Sequence, residues 1–135
     1  MKKWIAIAVI SYFLLACDPI ISYNYFVDNQ SDKSLVFRYK HGYAAARDSL
    51  TVCAPHKITL IEIVEMRGAN PHDEKKDFLY PFDKLNVKTI DSGQVFKDIR
   101  DRNNWTYSNE VRKFGTIKVG ANHYTLKIDN QDLKK

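Results

Sequence analysis

The chain has 135 residues, of which 44% are hydrophobic and 27% are charged, and its formal net charge is +5 at pH 7. A chain of this length suits one domain that buries about 60 to 70% of its unfolded-chain surface. Basic and acidic residues are interleaved, as in residues 73–77 and 97–102. This pattern is typical of solvated faces and argues against a clustered nucleic-acid footprint.

The first 17 residues have the layout of an export signal. Two lysines follow Met1, an apolar run extends over residues 4–15, and the small Ala16 precedes Cys17. The run is too short to cross a bilayer as a helix, which takes about 20 residues. Residues 14–17, Leu-Leu-Ala-Cys, resemble the lipobox of bacterial lipoproteins. The alternative is an ordinary secretory signal with an accidental cysteine.

The lipobox resemblance implies that the signal, residues 1–16, is removed and that lipid is attached to Cys17. Stable membrane attachment takes about two acyl chains, because each buried CH₂ contributes only about 0.8 kcal/mol. Loss of the signal removes two lysines and no acid, so the net charge falls from +5 to +3. We expect residues 17–22 to form a lipidated tether and residues 23–135 to form the folded domain.

The second cysteine, Cys53, has no disulfide partner in the chain if Cys17 carries lipid. Cys53 ends an alternating apolar stretch, residues 50–53, so we expect it to be buried in the core. Pairing with a second chain is the alternative for an odd thiol in an oxidising compartment.

The domain repeats one pattern, in which runs of β-branched and aromatic residues are separated by turns rich in Asn, Asp, Gly or Pro. Residues 23–27 and 35–39 are predicted to form an antiparallel hairpin around an Asn- and Asp-rich turn. Residues 48–53 and 57–64 are predicted to form a second pair around Pro55, because proline cannot occupy a central strand.

The next strand is predicted at residues 85–90 and ends in a turn at residues 91–93. The pattern of residues 94–102 fits either a short helix or a brief strand over the first residues of this segment. The last predicted hairpin joins residues 115–119 to residues 123–129 through a Gly-Ala-Asn turn.

In the second strand of that hairpin, Tyr124, Leu126 and Ile128 share one face. We expect this face to be buried and the alternate residues to face water.

These elements predict an all-β fold, a Greek-key, immunoglobulin-like antiparallel sandwich of about seven or eight strands. A small β-barrel is the alternative. Residues 23–29, Trp105 and residues 124–128 also resemble the small envelope lipoproteins of Bacteroidetes. That resemblance implies an envelope β-sandwich and implies no reaction.

The residue types that catalysis or metal binding requires do not form a known motif. The four histidines are isolated from one another and from cysteine clusters, so no zinc site is predicted. Cys53 and His56 are the one close pair of nucleophile and base, and we expect their proximity to be accidental. The sequence has no Gly-x-Ser-x-Gly elbow. We therefore expect no enzyme activity, no cofactor and no metal.

Two groups of aromatic residues are candidate binding surfaces. One group lies in a long segment, and long loops in compact domains are often functional. Alternation places both members of the other group on one face, where they could stack on a sugar ring. In each case the alternative is burial, as a cap on the sandwich or as a core tryptophan. The groups are Phe78, Tyr80 and Phe82 within residues 65–83, and Trp105 with Tyr107.

The leading hypothesis is a lipid-anchored envelope domain without enzyme activity that binds or scaffolds an envelope protein or glycan. A carbohydrate-binding accessory lipoprotein is the alternative. A hydrolase, which needs a nucleophile, a histidine and an acid brought together by the fold, is less favoured. We expect attachment through Cys17 to the outer membrane, with the domain facing the periplasm or displayed on the surface. Asp18 leaves inner-membrane retention open, and no nucleic-acid partner is expected.

Overall fold

The structure is a computed structural model that describes residues 19–42, 48–68, 74, 77–115 and 117–133. Its strands are β1 (Ile20–Asn29), β2 (Leu35–His41), β3 (Asp48–Cys53), β4 (Lys57–Arg67), β5 (Phe82–Thr89), β6 (Trp105–Phe114) and β7 (Ile117–Ile128). Two short 3₁₀ helices lie at Arg102–Asn104 and Asn130–Leu133.

The seven strands form two sheets packed face to face, which confirms the β-sandwich predicted from the sequence. Sheet A has the strand order β4-β1-β7-β6, and sheet B has the order β3-β2-β5. Both sheets keep open edges, so the fold is not a small closed barrel. The pairing of β1 with β7 is parallel, and every other pairing between these strands is antiparallel.

The prediction of two hairpins in the first half of the chain is wrong. β1 and β2 lie in different sheets, and so do β3 and β4, so their connecting turns cross between the sheets. β1 lies between β4 and β7 in sheet A, which leaves neither of its edges to β2. Side-chain alternation indicates which face of a strand is buried, but it does not indicate which strand pairs with it.

The predicted last hairpin is also misplaced, because the residues expected to form its Gly-Ala-Asn turn lie inside β7. Gly120 is buried there, opposite Ile21 of β1 and Val111 of β6. The hairpin joins β6 to β7 instead. Its turn contains Gly115, whose φ of 63° is a left-handed conformation that glycine adopts readily.

The buried faces predicted from alternation are confirmed. In β7, Tyr124, Leu126 and Ile128 are fully buried, while the alternate residues are half-buried or exposed. The strand predicted at residues 85–90 is confirmed as β5. In the segment 94–102, Gln94 makes a single bridge with Lys88, and only Arg102 is helical, as the first residue of a 3₁₀ helix.

Aromatic rings fill the space between the sheets. Tyr25 of β1 is fully buried and stacks on Tyr124 of β7 with 5.3 Å between the ring centroids. Phe82 and Trp105 meet the Tyr25 ring in T-shaped contacts at 5.0 and 6.4 Å. The Tyr25 hydroxyl donates a 2.6 Å hydrogen bond to the carbonyl of Phe78. Aromatic pairs of this kind contribute about 0.5 to 1.5 kcal/mol each beyond their area burial, so Tyr25 links the two sheets.

A buried amide, Asn29, fastens two of the turns that cross between the sheets. Its Nδ2 donates to the carbonyls of Lys33, Cys53 and Ala54 at 2.8, 3.1 and 3.0 Å. Its Oδ1 accepts from the backbone N–H of Ser31 at 3.1 Å and from the Ser31 hydroxyl at 2.6 Å. The turn after β1 and the turn after β3 are therefore joined at one end of the sandwich.

We predict that Asn29→Ala lowers the free energy of unfolding by roughly 2 to 4 kcal/mol, because it leaves the buried Cys53 carbonyl and the buried Ser31 amide without their partner and removes two part-buried bonds. Asn86→Ala, at an exposed position of β5, is the matched control and should change it by less than about 0.5 kcal/mol. Urea unfolding of both variants measures the difference. Similar losses in the two variants would contradict the role given to Asn29.

Candidate functional site

The first predicted aromatic group lies mainly in the core. Phe78 and Phe82 are buried, and Phe82 packs in T-shaped contacts against both Tyr25 and Tyr39. Tyr80 is half-buried, and its hydroxyl donates to the sulfur of Met66 at 3.3 Å. The segment before β5 therefore folds back onto the sandwich. The prediction of a surface formed by Phe78, Tyr80 and Phe82 is wrong, because their rings close one end of the core.

The second aromatic group faces inward as well. Trp105 is only 3% exposed, and its indole N–H donates to the carbonyl of Ile99 at 2.8 Å. Tyr107 lies on the same face, and its hydroxyl donates to Asn122 at 2.7 Å while its ring packs on Tyr124. Trp105 and Tyr107 share a face as expected, but that face is the core. They do not form the exposed stacking platform that a carbohydrate site would need.

The predicted lipidation site, Cys17, lies outside the described residues, and the described chain starts at Pro19. The Pro19 carbonyl accepts a 3.1 Å hydrogen bond from the backbone N–H of Gly68, and β1 begins at Ile20. Residues 20–22 therefore belong to sheet A, and their assignment to the tether is wrong. In the described part of the chain, no helix combines the length and the hydropathy that a membrane crossing requires.

Cys53 is fully buried, as predicted. Burial raises the pKa of its thiol, and a hydrogen bond with Thr59 opposes that effect. His56 lies on the exposed turn after β3, where its Nε2 is 3.1 Å from a carboxylate oxygen of Asp32. The thiol and the imidazole have different partners, so they do not form a nucleophile and base pair.

A second arrangement, which the sequence analysis missed, joins a hydroxyl, an imidazole and a carboxylate. His41 Nε2 lies 3.0 Å from Ser49 Oγ, and His41 Nδ1 lies 3.1 Å from Glu62 Oε2. The three residues come from β2, β3 and β4, so no local motif reveals them. This is the order of nucleophile, base and orienting acid in hydrolytic triads.

The surroundings of Ser49 favour a structural role for this arrangement. Ser49 lies opposite the buried Tyr39, so it shares the inner face of sheet B. The Tyr39 hydroxyl donates to the carbonyl of Ile61 in sheet A at 2.6 Å. Burial is the largest cause that raises the pKa of Tyr39, and the Glu62 carboxylate adds to it, so the phenol stays protonated as a donor. We infer that this network closes the gap between the edge strands β3 and β4.

The outward face of sheet B is rich in cations, and we call it the basic face. Cross-strand register places Lys40 between Asp48 and Lys84, and Arg38 between Leu50 and Asn86. Two shallow grooves of about 430 and 330 Å³ lie on this face, and Arg38 lines both. The face consists of Val36, Arg38 and Lys40 on β2, Asp48, Leu50 and Val52 on β3, and Lys84, Asn86 and Lys88 on β5, with Ile90 beyond the end of β5.

Among the described residues, some cations form salt bridges with carboxylates and others do not. Lys33, Lys97 and Arg102 each form a salt bridge, with Asp91, Asp132 and Glu74 respectively. Within the described residues, no salt bridge involves any of the four cations of the basic face: Arg38, Lys40, Lys84 and Lys88. Their charges are therefore available to an external anion.

The outer edge of sheet A is a second candidate interaction surface. β4 forms this edge and, among the described strands, pairs only with β1. Ile58, Leu60 and Ile63 of β4 are exposed. An exposed apolar edge strand can pair with a strand from another chain, so this edge suits a protein partner.

The described residues hold no group of three or more His, Cys, Asp or Glu side chains placed to bind a metal ion. Comparisons of the chain with protein-family models, with curated proteins and with solved structures find no match.

We predict that Ser49→Ala lowers the free energy of unfolding by about 1 kcal/mol, because it removes a hydrogen bond from a partly buried network. Ser108→Ala, at an exposed position of β6, is the control and should change it by less than about 0.5 kcal/mol. A fluorophosphonate probe should leave Ser49 of the folded protein unmodified. A covalent adduct at Ser49, located by mass spectrometry, would instead identify a catalytic triad.

Proposed function

We propose that this protein is a lipid-anchored protein of the bacterial cell envelope whose β-sandwich binds or scaffolds another envelope component close to the membrane. The observation that carries the proposal is the start of β1 at Ile20, three residues after Cys17 of the lipobox-like sequence. The domain thus begins almost directly after the residue that would carry lipid.

The length of the tether limits where a partner can be. Three residues span at most about 10 Å when extended, and the Pro19 carbonyl is already hydrogen-bonded to Gly68. A lipid on Cys17 would therefore hold one end of the sandwich against the headgroups of the bilayer. The partner would be the membrane surface itself or an envelope component that lies beside it.

Two surfaces support a binding role, and they suit different partners. The basic face suits an anionic surface, since its four cations have no salt bridge among the described residues. The exposed aliphatic residues of β4, Ile58, Leu60 and Ile63, suit an envelope protein that adds a strand to sheet A. We place the anchored domain on the outer membrane, facing the periplasm or the exterior.

We predict that Cys17→Ser abolishes metabolic labelling of the protein with a fatty-acid analogue and releases it from the membrane fraction without detergent. Cys53→Ala is the matched control, because it also removes a thiol, and it should retain full labelling. Persistent labelling of the Cys17→Ser protein would contradict the anchor.

Membrane fractionation and protease treatment of intact cells test the location. Recovery of the wild-type protein with the outer membrane is expected, and cleavage in intact cells would place the domain on the surface. Recovery wholly with the inner membrane would contradict the outer-membrane assignment while leaving the lipid anchor intact.

A further inference from the structure

We propose that the basic face of sheet B binds the anionic phospholipid headgroups of the membrane that carries the protein, so that the domain lies against the bilayer by one face of the sandwich. This inference rests on the proposed lipid anchor for the proximity of the membrane. The binding itself is a property of the folded domain and is measurable without the lipid.

The arrangement of charge is the first reason. Arg38, Lys40, Lys84 and Lys88 project from two adjacent strands onto one face, and Asp48 is the single acid of that face. Within the described residues none of the four cations forms a salt bridge. A cluster of basic residues beside a membrane is attracted to anionic lipids. Each Lys or Arg increases the partitioning of the protein onto the membrane about fivefold.

The cross-strand register of Lys40 and Lys84 is the second reason. The two residues are direct partners in the pairing of β2 with β5, on the same outward face. Like charges placed directly opposite each other destabilise an antiparallel pair. Asp48, opposite Lys40 on β3, offsets part of this repulsion, and a phosphate bound between the two ammonium groups would relieve the rest.

Exposed aliphatic side chains among the cations are the third reason, and they favour a bilayer over a soluble polyanion. Leu50, Val52 and Ile90 are 55%, 48% and 63% exposed. Val52 lies in the row that continues through Val36 to Lys88. The headgroup region of a membrane offers phosphates beside acyl chains, so both kinds of side chain find partners there. An acidic glycan would engage the cations and leave the aliphatic groups in water.

The start of β1 lies close enough to the basic face for that face to reach the bilayer. Tyr80 contacts Met66 near the start of β1, and the next residue, Pro81, accepts a 2.9 Å hydrogen bond from Gly42 at the end of β2. Lys40 and Lys84 therefore lie at the same end of the sandwich as Ile20. Packed sheets are about 10 Å apart, which is comparable with the reach of the tether. A tilted domain can thus keep both its anchor and its basic face at the membrane.

The end of the sandwich where the chain enters is the competing membrane contact. Among the described residues, its cations are Arg67, Arg112, Lys113 and Lys118. Arg112 pairs with Glu110 at 3.5 Å, and Glu65 lies in the next outward row of sheet A beside Arg67. Lys113 and Lys118 are also direct cross-strand partners, so the ranking of the two sites rests on the carboxylates. Two glutamates offset positive charge at this end, and Asp48 alone offsets it on the basic face, so we place the stronger site on the basic face.

The experiment measures co-sedimentation of the mature chain, residues 17–135 with Cys17→Ser, with phosphatidylcholine vesicles that contain or lack about 30% phosphatidylglycerol. This chain contains every described residue, and without lipid its binding reports the folded domain alone. We expect binding to the anionic vesicles, weaker binding at high salt because surface charges are screened, and little binding to neutral vesicles.

Three double variants locate the contact. Lys84→Glu with Lys88→Glu should weaken binding at least about 25-fold, because each basic residue near an anionic surface contributes about fivefold. Lys57→Glu with Lys127→Glu changes the net charge equally at exposed sites of sheet A, and should retain most of the binding. Lys113→Glu with Lys118→Glu tests the competing end. Greater loss in that variant than in the Lys84 and Lys88 variant would overturn the proposal.

Thermal unfolding supplies a second readout. Lys84→Glu alone should raise Tm by about 2 to 4 °C while it weakens vesicle binding, because it turns a like-charge pair into an opposite-charge pair with Lys40. A fall in Tm would count against the proposed repulsion.

Failure of the unlipidated wild-type chain to bind anionic vesicles, or preference for a soluble acidic polysaccharide, would overturn the proposal. Neither result would affect the anchor, which labelling of Cys17 tests separately.

Discussion

The fold depends on turns that carry the chain from one sheet to the other, and the buried amide of Asn29 holds two of them together. Among the described strands, only β2–β3 and β6–β7 are hairpins between consecutive strands, whereas the other consecutive strands lie in opposite sheets. Asn29 bonds to backbone groups of the turns after β1 and β3. A buried side chain with this many partners specifies one arrangement, because any other leaves polar groups unpaired in the core.

The connections between the sheets also determine what the surfaces can do. They leave β1 in the middle of sheet A, so the start of the chain enters at one end of the sandwich. They also place β2 and β5 side by side, so Lys40 and Lys84 become neighbours although they are distant in sequence. The inward polar network of His41, Ser49 and Glu62 then joins the two edge strands, and it lies on the side of sheet B opposite to the basic face.

Alternation predicted the faces of the strands, as with the buried Tyr124, Leu126 and Ile128, and the burial of Cys53. Alternation did not predict which strands pair. The chain passes from sheet A to sheet B after Asn29, and this passage depends on hydrogen bonds from Asn29 to Cys53 and Ala54, in a turn that is distant in sequence. The sequence leaves two possibilities for the aromatic residues before β5, an exposed surface or a cap on the sandwich. The hydrogen bond from the Tyr25 hydroxyl to the Phe78 carbonyl holds this segment inward as a cap. The basic face was missed because its cations lie on two strands separated in sequence, although each strand alternates cations at every second or fourth position.

The proposal that the anchored sandwich turns its basic face toward the bilayer is tested most directly by the acetylation rate of each lysine in the lipidated protein. The rates are compared on anionic and on neutral vesicles by mass spectrometry. We expect slower acetylation of Lys40, Lys84 and Lys88 on anionic vesicles, with unchanged rates at the exposed Lys57 and Lys127 of sheet A. Equal rates on both vesicles, or slowing confined to Lys113 and Lys118, would contradict it.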